Sequence, residues 1–349
     1  MDTETPEIVQ NNNFIFYAPG IHTGGGLVLL KEILNTKNFI KNWKYIYLDE
    51  RVRTKLSLPD SVKNIAFIKS RLLGEWELRQ NCKISDTVLC FHGLPPLFPK
   101  KGKIIVFLQN RILLEPLKNN HYSILILLKK IWLRLGSKYN NIKYIVQTPS
   151  MLRIAKEFLG QDIDISILAF APKNIQKNLS RTKKFDFIYP ASGEPHKNHI
   201  NLLKAWKILA DIGIKPFLAL TVNVELYPEL AKKLEKYIQE YKLNIINLSE
   251  ISSSEVLDLY QQVSALIYPS KVESFGLPLI EATEYKIPII ASELDYVRDV
   301  ANPVETFDSS SPTSIARAVR RFLNNNESLI TINSAEEFLK KLFLNYFHF

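Results

Sequence analysis

Short apolar runs recur along the chain and alternate with longer segments of helical periodicity. In the first half these runs are rich in Val, Ile, Phe and Tyr, and they are typical of strands buried on both faces of a parallel sheet. The predicted strands cover residues 14–18, 45–48, 65–68, 88–91, 104–108, 144–146 and 165–170. Helical segments or loops separate the runs, so the pattern predicts a Rossmann-like, doubly wound α/β domain over residues 1–170.

The alternation stops at residues 171–184, which are polar and have no apolar periodicity, and we interpret this segment as an interdomain linker. A second Rossmann-like domain is predicted over residues 185–330, followed at 331–349 by a C-terminal helix that packs back on the first domain. Its strands are predicted at 185–189, 217–222, 245–248, 265–268 and 288–291, and its helices around 200–210, 227–241, 255–262 and 277–285. Two such domains would face a central cleft lined by the carboxyl ends of both sheets.

The segment from Ala265 to Glu293 carries the clearest chemical pattern, a strand followed by a polar loop and a helix. Pro278 suits the first turn of that helix, so the amides of residues 275–277 are predicted to form an anion site. Glu273 lies in the loop and Glu281 lies about one turn inside the helix. A nucleotide sugar would need this arrangement, with amides for phosphate, one carboxylate for the ribose and another beside the sugar.

A glycine-rich turn, Gly24-Gly25-Gly26, follows the first predicted strand. Its spacing fits neither a P-loop, which needs Lys-Ser/Thr where Gly26-Leu27 stand, nor a dinucleotide fingerprint, whose third Gly is replaced by Leu29. A ligand-contacting loop and a plain tight turn both remain open. Asp49, at the end of the second strand, keeps the alternative of a dinucleotide-dependent oxidoreductase or sugar-nucleotide epimerase in play.

Three further polar residues follow predicted strands and are candidates for chemistry. Lys197 begins a helix after the first strand of the second domain, where it could neutralise a diphosphate or lie solvated near a helix cap. In the first domain His92 and Asn110 follow strands and are predicted to reach the cleft. His92 could act on an acceptor hydroxyl, although a lone His is more often structural.

Charge is unevenly distributed. Residues 1–175 contain 25 Lys and Arg against 14 Asp and Glu, whereas the rest of the chain contains 20 against 21. The basic half suggests an anionic partner, and phospholipid, a phosphorylated glycan and nucleic acid all qualify on charge alone, although basic stretches of a recognisable nucleic-acid-binding module are absent. Within it, Tyr122–Lys138 has an apolar stripe opposite a basic one. We expect an ordinary helix with its apolar face in the core and its basic edge near anionic lipid.

The two cysteines, Cys82 and Cys90, are too few for a disulfide framework, and the first residues lack the basic-then-apolar order of a signal peptide. The longest apolar run of the candidate membrane helix, Ile124 to Leu128, is far shorter than the roughly 20 residues that span a bilayer. We therefore expect a cytoplasmic protein that is peripheral at the inner face of the membrane.

Three motifs resemble those of a known family. The first runs from Tyr268-Pro269-Ser270 through Glu273-Ser274-Phe275-Gly276-Leu277-Pro278 to Glu281-Ala282. It is similar to the signature of group-one retaining glycosyltransferases with the GT-B fold, which include lipopolysaccharide and mannosyl transferases. Glu194-Pro195-His196-Lys197-Asn198 resembles their phosphate-binding segment, and Val304 to Asp308 continues the similarity. The first domain is similar only in outline.

This resemblance implies a role for each matching residue. Glu281 would bind the ribose, Lys197 the diphosphate, and Glu273 the donor sugar near the reacting carbon. The first domain would bind the acceptor, with His92 or Gln109-Asn110 in the place of the family's catalytic His. The remaining donor-binding positions would be Ser274, Phe275, Gly276, Leu277, Gly24, Gly25 and Gly26.

Some positions depart from the family pattern. An Arg that often precedes the family's Lys is missing, with residues 191–193 near its place, so Arg111 is a candidate to replace it. The expected activity is transfer of a hexose from a nucleotide-diphosphate sugar to a hydroxyl of a surface polysaccharide or lipid-linked glycan, with retention and without a metal or other cofactor. The expected partners are the donor, the glycan acceptor and an anionic membrane surface, with no nucleic acid.

Overall fold

Each half of the chain winds around a parallel sheet in the computed structural model, which describes residues 13–36, 43–56, 64–97, 102–115, 124–139, 141–172 and 182–325. The first sheet has seven strands in the order β3-β2-β1-β4-β5-β6-β7. Their bounds are β1 Phe14–Ala18, β2 Tyr45–Asp49, β3 Ile65–Ile68, β4 Thr87–Cys90, β5 Lys103–Phe107, β6 Ile142–Val146 and β7 Ile165–Ile167. The order reverses between β1 and β4, which places a ligand-binding switch point at the carboxyl ends of these two strands.

The second sheet has six parallel strands in the order β10-β9-β8-β11-β12-β13. Their bounds are β8 Phe185–Tyr189, β9 Leu218–Leu220, β10 Ile245–Asn247, β11 Val263–Tyr268, β12 Ile289–Ser292 and β13 Glu305–Phe307. The order reverses between β8 and β11, which pair with Ala265 opposite Phe187. The loops that follow these two strands are the ones that carry Lys197 and Glu273.

Helices cover both sheets. In the first domain they are α1 Gly24–Leu34, α2 Arg71–Asn81, α3 Ile124–Gly136 and α4 Pro149–Leu159. In the second they are α5 His199–Asp211, α6 Pro228–Tyr241, α7 Ser253–Tyr260, α8 Leu277–Glu284, α9 Asp295–Arg298 and α10 Pro312–Phe322. Among the described residues no helix is both long and apolar enough to cross a membrane.

The predicted fold class, two Rossmann-like doubly wound domains, is confirmed. Each strand predicted from an apolar run is present, with ends displaced by up to three residues. Helix α1 starts at Gly24 and not near Leu27, and α7 starts at Ser253 because Ser252 and Glu255 form a capping box. Most of the predicted linker (173–181) and the predicted C-terminal helix (331–349) lie outside the described residues.

The two domains meet through an interdomain ion-pair cluster centred on Asp295 of α9. One guanidinium nitrogen of Arg111 lies 2.9 Å from Oδ1 of Asp295, and Arg153 donates to Oδ2 at 2.8 Å. Beside them, Asp299 accepts a hydrogen bond from the backbone N–H of Ser150 at the start of α4. Burial opposes ionisation of Asp295, but Arg111 outweighs it and the pKa of Asp295 is lowered.

Helix α3 is oriented opposite to the expectation. Its inward face consists of Lys130, Leu133 and Gly136, and Lys130 donates to the backbone carbonyl of Glu115. The apolar stripe predicted to lie in the core is exposed, so that prediction is wrong. The residues that point outward are Ile124, Leu127, Leu128, Ile131 and Leu135.

Candidate functional site

A cavity of about 410 Å³ lies where the carboxyl ends of the two sheets face each other. Both domains contribute to its walls, and the volume is in the range of small-molecule sites. The predicted residues among its lining are Gly24, Gly25, Gly26, Lys197, Glu273, Ser274, Phe275, Gly276, Leu277 and Glu281. The structure thus brings together all the predicted donor-binding residues and Glu273.

The N-terminus of α8 opens into this cavity. Gly276 is its N-cap residue and has φ of 73°, a left-handed conformation that glycine adopts without steric cost. Pro278 follows in the first turn, where a missing N–H loses no helical hydrogen bond. The N–H groups at the helix start have no acceptor within the helix, so they present partial positive charge to the cavity.

The N-terminus of α1 faces α8 from the first domain. A Cβ at Gly25 would lie 3.4 Å from Cδ1 of Leu277, and a Cβ at Gly26 would lie 3.4 Å from Oε1 of Gln109. Gly25 is thus in contact distance of the second domain, and the absence of a side chain there lets this turn lie close to the start of α8. The outcome is two helix N-termini opposed across one cavity, which is a favourable setting for an anion.

Lys197 and Glu273 form an ion pair on the wall of the cavity. Nζ of Lys197 lies 2.7 Å from Oε1 of Glu273, and the hydroxyl of Tyr268 donates to the same oxygen at 3.0 Å. The two charged side chains are only 16% and 11% exposed, so solvent screens them weakly. The pair thus places one positively and one negatively charged side chain next to each other at the carboxyl ends of β8 and β11.

The loop that carries Lys197 is fixed by its neighbours. Asn198 is left-handed with φ of 66°, and its side-chain amide donates to the carbonyls of Pro269 and Ser309. The hydroxyl of Tyr189 donates to the carbonyl of Lys197 at 2.8 Å. These bonds tie the loop after β8 to those after β11 and β13, so the position of Lys197 depends on three strands.

His199 supports the same loop. Its Nε2 donates to the carbonyl of Ser192, and burial lowers the pKa of His199 to about 4. The ring is therefore neutral at physiological pH. No group of three or more His, Cys, Asp or Glu side chains placed to hold a metal ion occurs in the part of the chain that the structure describes.

Glu281 lies inside the cavity one turn into α8. The hydroxyl of Tyr260 donates to its Oε2 at 2.9 Å. Burial raises the pKa of Glu281, and the bond from Tyr260 only partly offsets this effect. The carboxylate is therefore poorly solvated and has capacity to accept hydrogen bonds from a ligand.

Residues near the missing family Arg form a local network around Glu194. Burial opposes its ionisation, but hydrogen bonds from Ser192 and from Tyr227, the latter at 2.6 Å, lower the pKa of Glu194. Gly193 packs on the ring of Tyr227, since a Cβ there would lie 2.4 Å from Cγ. Ser192 lines the cavity at the position near which the family has its Arg.

Arg111 does not take over the role of that Arg. Its guanidinium is engaged by Glu115 at 2.7 Å and by Asp295, and Arg111 is absent from the described lining of the cavity. The structure assigns it to the interdomain ion-pair cluster. This placement does not support the expectation that Arg111 neutralises the diphosphate.

The first-domain candidates His92 and Asn110 also lie outside the cavity lining among the described residues. Arg71 donates to Nε2 of His92 at 2.6 Å, and Nδ1 faces the carbonyl of Tyr17. Burial, and secondarily the charge of Arg71, hold the pKa of His92 well below its ordinary value. Asn110 caps a short 3-10 turn by accepting from the N–H of Ile112. Their predicted catalytic roles are not supported by this placement.

Asp49 forms hydrogen bonds with Gly20 and Arg51 in the protein itself. Its carboxylate accepts from the N–H of Gly20 at 2.9 Å and from both the N–H and the guanidinium of Arg51. Burial opposes its ionisation, but these bonds outweigh it and lower the pKa of Asp49 to about 2. Asp49 thus fixes Gly20 in the loop that leads to the glycine-rich turn, and the ribose-binding acid of the dinucleotide alternative is not favoured.

Other lining residues were not predicted. Gln147 and Thr221 directly follow β6 and β9, whereas Gln109, two residues after β5, belongs to the Gln109-Asn110 pair that was expected to reach the cleft. The rule that side chains at the carboxyl ends of parallel strands meet at the ligand site could have identified Gln147 and Thr221. Near the start of α7 the lining also includes Ile251, Ser253 and Val256.

Two facing doubly wound domains with a ligand cavity between them define the GT-B class. The HepE protein of Anabaena, solved with UDP and glucose, superposes on this chain with a TM-score of 0.67 at 14% identity, over 89% of this chain and 90% of HepE. Residues 170–337 match the family described as Glycosyl transferases group 1. This stretch, slightly less than half of the chain, is therefore similar to group 1 glycosyltransferases.

Sequence relatives are mannosyltransferases by name. The serotype-specific mannosyltransferase WbdA of Escherichia coli is 31% identical over 209 residues, covering 55% of this chain and 25% of WbdA. The O-antigen chain mannosyltransferase RfbU of Salmonella typhimurium is 26% identical over 152 residues, covering 42% of this chain and 40% of RfbU. The match thus spans about a quarter of the length of WbdA and less than half that of RfbU.

Proposed function

We propose that this protein transfers a mannosyl residue from a nucleotide-diphosphate donor to a hydroxyl of a surface polysaccharide or lipid-linked glycan, with retention at the anomeric carbon. The observation that carries the proposal is the convergence of two helix N-termini and Lys197 on a cavity that also holds Glu273 and Glu281. The choice of mannose is supported by the names of the sequence relatives.

The cavity accounts for each part of such a donor. The diphosphate lies between the starts of α1 and α8, where helix amides and Lys197 provide positive charge. The ribose hydroxyls donate to Glu281, which Tyr260 orients. The nucleobase lies toward the start of α7, beside Ile251 and Val256.

Glu273 is assigned to the sugar. Its Oε1 is occupied by Lys197 and Tyr268, so the carboxylate is held in one orientation and its other oxygen accepts from sugar hydroxyls. Lys197 therefore lies close to both sides of the bond between sugar and diphosphate, because it contacts the carboxylate beside the sugar and lies at the diphosphate site. This pairing suits a residue that positions the sugar and balances charge.

The reaction breaks the bond between the anomeric carbon and the diphosphate oxygen. Negative charge develops on that oxygen, and Lys197 and the helix amides stabilise it as it forms, which is the largest contribution such a site can make. The acceptor hydroxyl oxygen bonds to the anomeric carbon on the face that the diphosphate leaves, and its proton passes to the departing diphosphate. This course gives retention and needs no metal ion.

The assignment is tested by calorimetric titration of nucleoside diphosphates into the wild type and Glu281→Ala. The exposed Glu235→Ala on α6 is the matched control. We expect binding by the wild type and the control, and affinity lower by at least about tenfold in Glu281→Ala, because a charge-assisted contact is lost. Absence of nucleotide binding by the wild type, or equal binding by Glu281→Ala, would contradict the assignment.

Transfer itself is tested with a panel of nucleotide sugars. We expect consumption of a mannosyl donor to exceed that of the other sugars, to persist in EDTA, and to yield product with the anomeric configuration of the donor by NMR. Inversion at the anomeric carbon would refute the retaining course, and loss of activity in EDTA would refute the metal-free one.

A further inference from the structure

The outward face of α3 is an apolar stripe on a folded helix. Ile124, Leu128, Ile131 and Leu135 follow the i, i+4, i+7, i+11 spacing that aligns side chains on one helix face. With Leu125 and Leu127 on either side, these side chains are between 43% and 77% exposed. Scattered apolar residues are normal on a surface, but a contiguous set of this size marks an interaction site.

Helix α2 extends this surface. Its Leu72, Leu73 and Trp76 are between 53% and 73% exposed. The two helices are joined, since the guanidinium of Arg71 at the start of α2 stacks 4.1 Å from the Trp132 ring of α3. We call the nine residues the α2–α3 apolar surface: Leu72, Leu73, Trp76, Ile124, Leu125, Leu127, Leu128, Ile131 and Leu135.

The packing beneath α3 prevents this stripe from turning inward. Leu133 is fully buried, and Lys130 is fixed by its bond to the carbonyl of Glu115. Gly136 packs directly on Pro95, because a Cβ there would lie 2.5 Å from Cγ of the proline. The helix is held by specific contacts on its small and polar face, so the large apolar side chains are left in solvent.

Beneath α2 the contacts are equally specific. Glu75 accepts hydrogen bonds from the hydroxyl of Tyr17 and from the N–H of Leu97. This buried carboxylate fixes the rotation of α2, so Leu72, Leu73 and Trp76 stay outside.

The charges around the surface have one sign on the α3 side. Between Glu115 and Glu157 the sequence contains eight Lys and Arg and no Asp or Glu. Lys129, Arg134 and Lys138 are exposed. At about 100° per residue, Lys129 lies on one flank of the apolar stripe and Arg134 on the other, and Lys138 follows two residues after the helix ends. Long cationic side chains beside an inserted apolar face can reach lipid headgroups.

We infer that the α2–α3 apolar surface docks on an anionic lipid bilayer, with its apolar side chains at the acyl boundary and the flanking cations on the headgroups. Charge complementarity selects this occupant, because a second copy of the chain would bring the same cations against these. This inference deepens the proposed function. It rests on that function for one point, which is that the membrane holds the lipid-linked acceptor.

The docking surface is connected to the cleft. Lys130 on the inner side of α3 bonds the backbone of Glu115, whose side chain pairs with Arg111, and Arg111 pairs with Asp295 of the second domain. The start of α2, which carries Leu72, Leu73 and Trp76, follows the carboxyl end of β3, and the carboxyl edge of the first sheet is the edge that faces the cavity. A bilayer on this surface thus lies beside the opening on the acceptor side.

The test is co-sedimentation of the full chain with phosphatidylcholine vesicles that contain or lack phosphatidylglycerol. We compare the wild type with Leu128→Glu/Ile131→Glu and with Val304→Glu, an exposed apolar position in the second domain. We expect binding to the anionic vesicles that weakens with salt, a loss of at least about tenfold in the double variant, and no change in the control. Lys129→Ala/Lys138→Ala is expected to weaken binding by about 30-fold.

Other occupants give different results. A dimer in light scattering that Leu128→Glu/Ile131→Glu dissociates would overturn the inference in favour of a second copy. A clear drop in Tm for that variant, without vesicle binding by the wild type, would show that residues 326–349 or another part of the chain cover the surface. Equal vesicle binding by wild type and double variant would also overturn it. Nucleotide titration of the same samples separates these failures from failure of the donor site, since the double variant is expected to bind nucleotide normally.

Discussion

Replacing Lys197 with Ala is expected to weaken binding of a nucleoside diphosphate and to slow transfer. The ammonium group lies at the diphosphate site, and a charge-assisted hydrogen bond contributes about 1.5–3 kcal/mol. That range corresponds to a factor of about 10 to 150 in affinity. A second effect adds to it, because the substitution leaves Glu273, only 11% exposed, as an unpaired carboxylate beside the phosphate.

The second effect can be isolated by a double-mutant cycle. Glu273→Ala alone is expected to leave nucleoside-diphosphate affinity within about threefold of wild type, because its proposed ligand is the sugar. Lys197→Ala/Glu273→Ala is expected to bind nucleoside diphosphate more tightly than Lys197→Ala, since the repelling carboxylate is gone.

Isothermal titration calorimetry at fixed ionic strength measures all four corners of the cycle, and Lys236→Ala on the exposed face of α6 controls for loss of a remote cation. The reasoning is refuted if Lys197→Ala binds as well as wild type. It is also refuted if the double variant binds no better than Lys197→Ala.

Three further predictions concern the cavity and the domain contact. Binding of a nucleotide sugar is expected to weaken as the pH falls through the raised pKa of Glu281, because ribose donates hydrogen bonds to the ionised carboxylate. The loss should begin at a higher pH than it would for an ordinary Glu. Titrations between about pH 4 and 7 should show this dependence, and Glu281→Gln should lack it. Gly193→Ala is expected to displace the Tyr227 ring and lower stability by about 1–3 kcal/mol, measured as Cm in urea; an unchanged Cm would contradict the 2.4 Å approach. Asp295→Asn is expected to loosen the domain contact, to increase the radius of gyration in X-ray scattering and to lower stability by about 1 kcal/mol. An unchanged radius of gyration would mean that the ion pair with Arg111 does not hold the two domains together.

The sheets could be predicted from sequence because their signal is local. A strand buried on both faces is apolar at nearly every position, so apolar runs such as Phe14–Ala18 and Leu218–Leu220 can be recognised in the sequence. The donor side of the cavity was predictable for the same reason. Glu273, Gly276 and Glu281 lie within nine consecutive residues, so one loop and one helix turn fix most of their relative geometry.

The first domain was less predictable because its decisive contacts are distant in sequence. Periodicity identifies an apolar stripe on α3 but does not show which face of the helix packs on the domain. The close contact between Gly136 and Pro95 determines that face. Arg111 is drawn to Asp295, 184 residues away, and no local pattern indicates that pair. His92 follows its strand as expected, yet Arg71 on α2 occupies its ring nitrogen.

The glycine turn at the start of α1 approaches Leu277 at the start of α8, so each domain holds only part of the wall around the diphosphate site. A ligand that contacts both parts binds more tightly when the domains are together, and by reciprocity it holds them together with the same free energy. Donor affinity and interdomain distance are therefore two measures of a single equilibrium. A substitution at the Asp295 cluster, remote from the sugar, changes the position of that equilibrium and with it the apparent Kd for the donor.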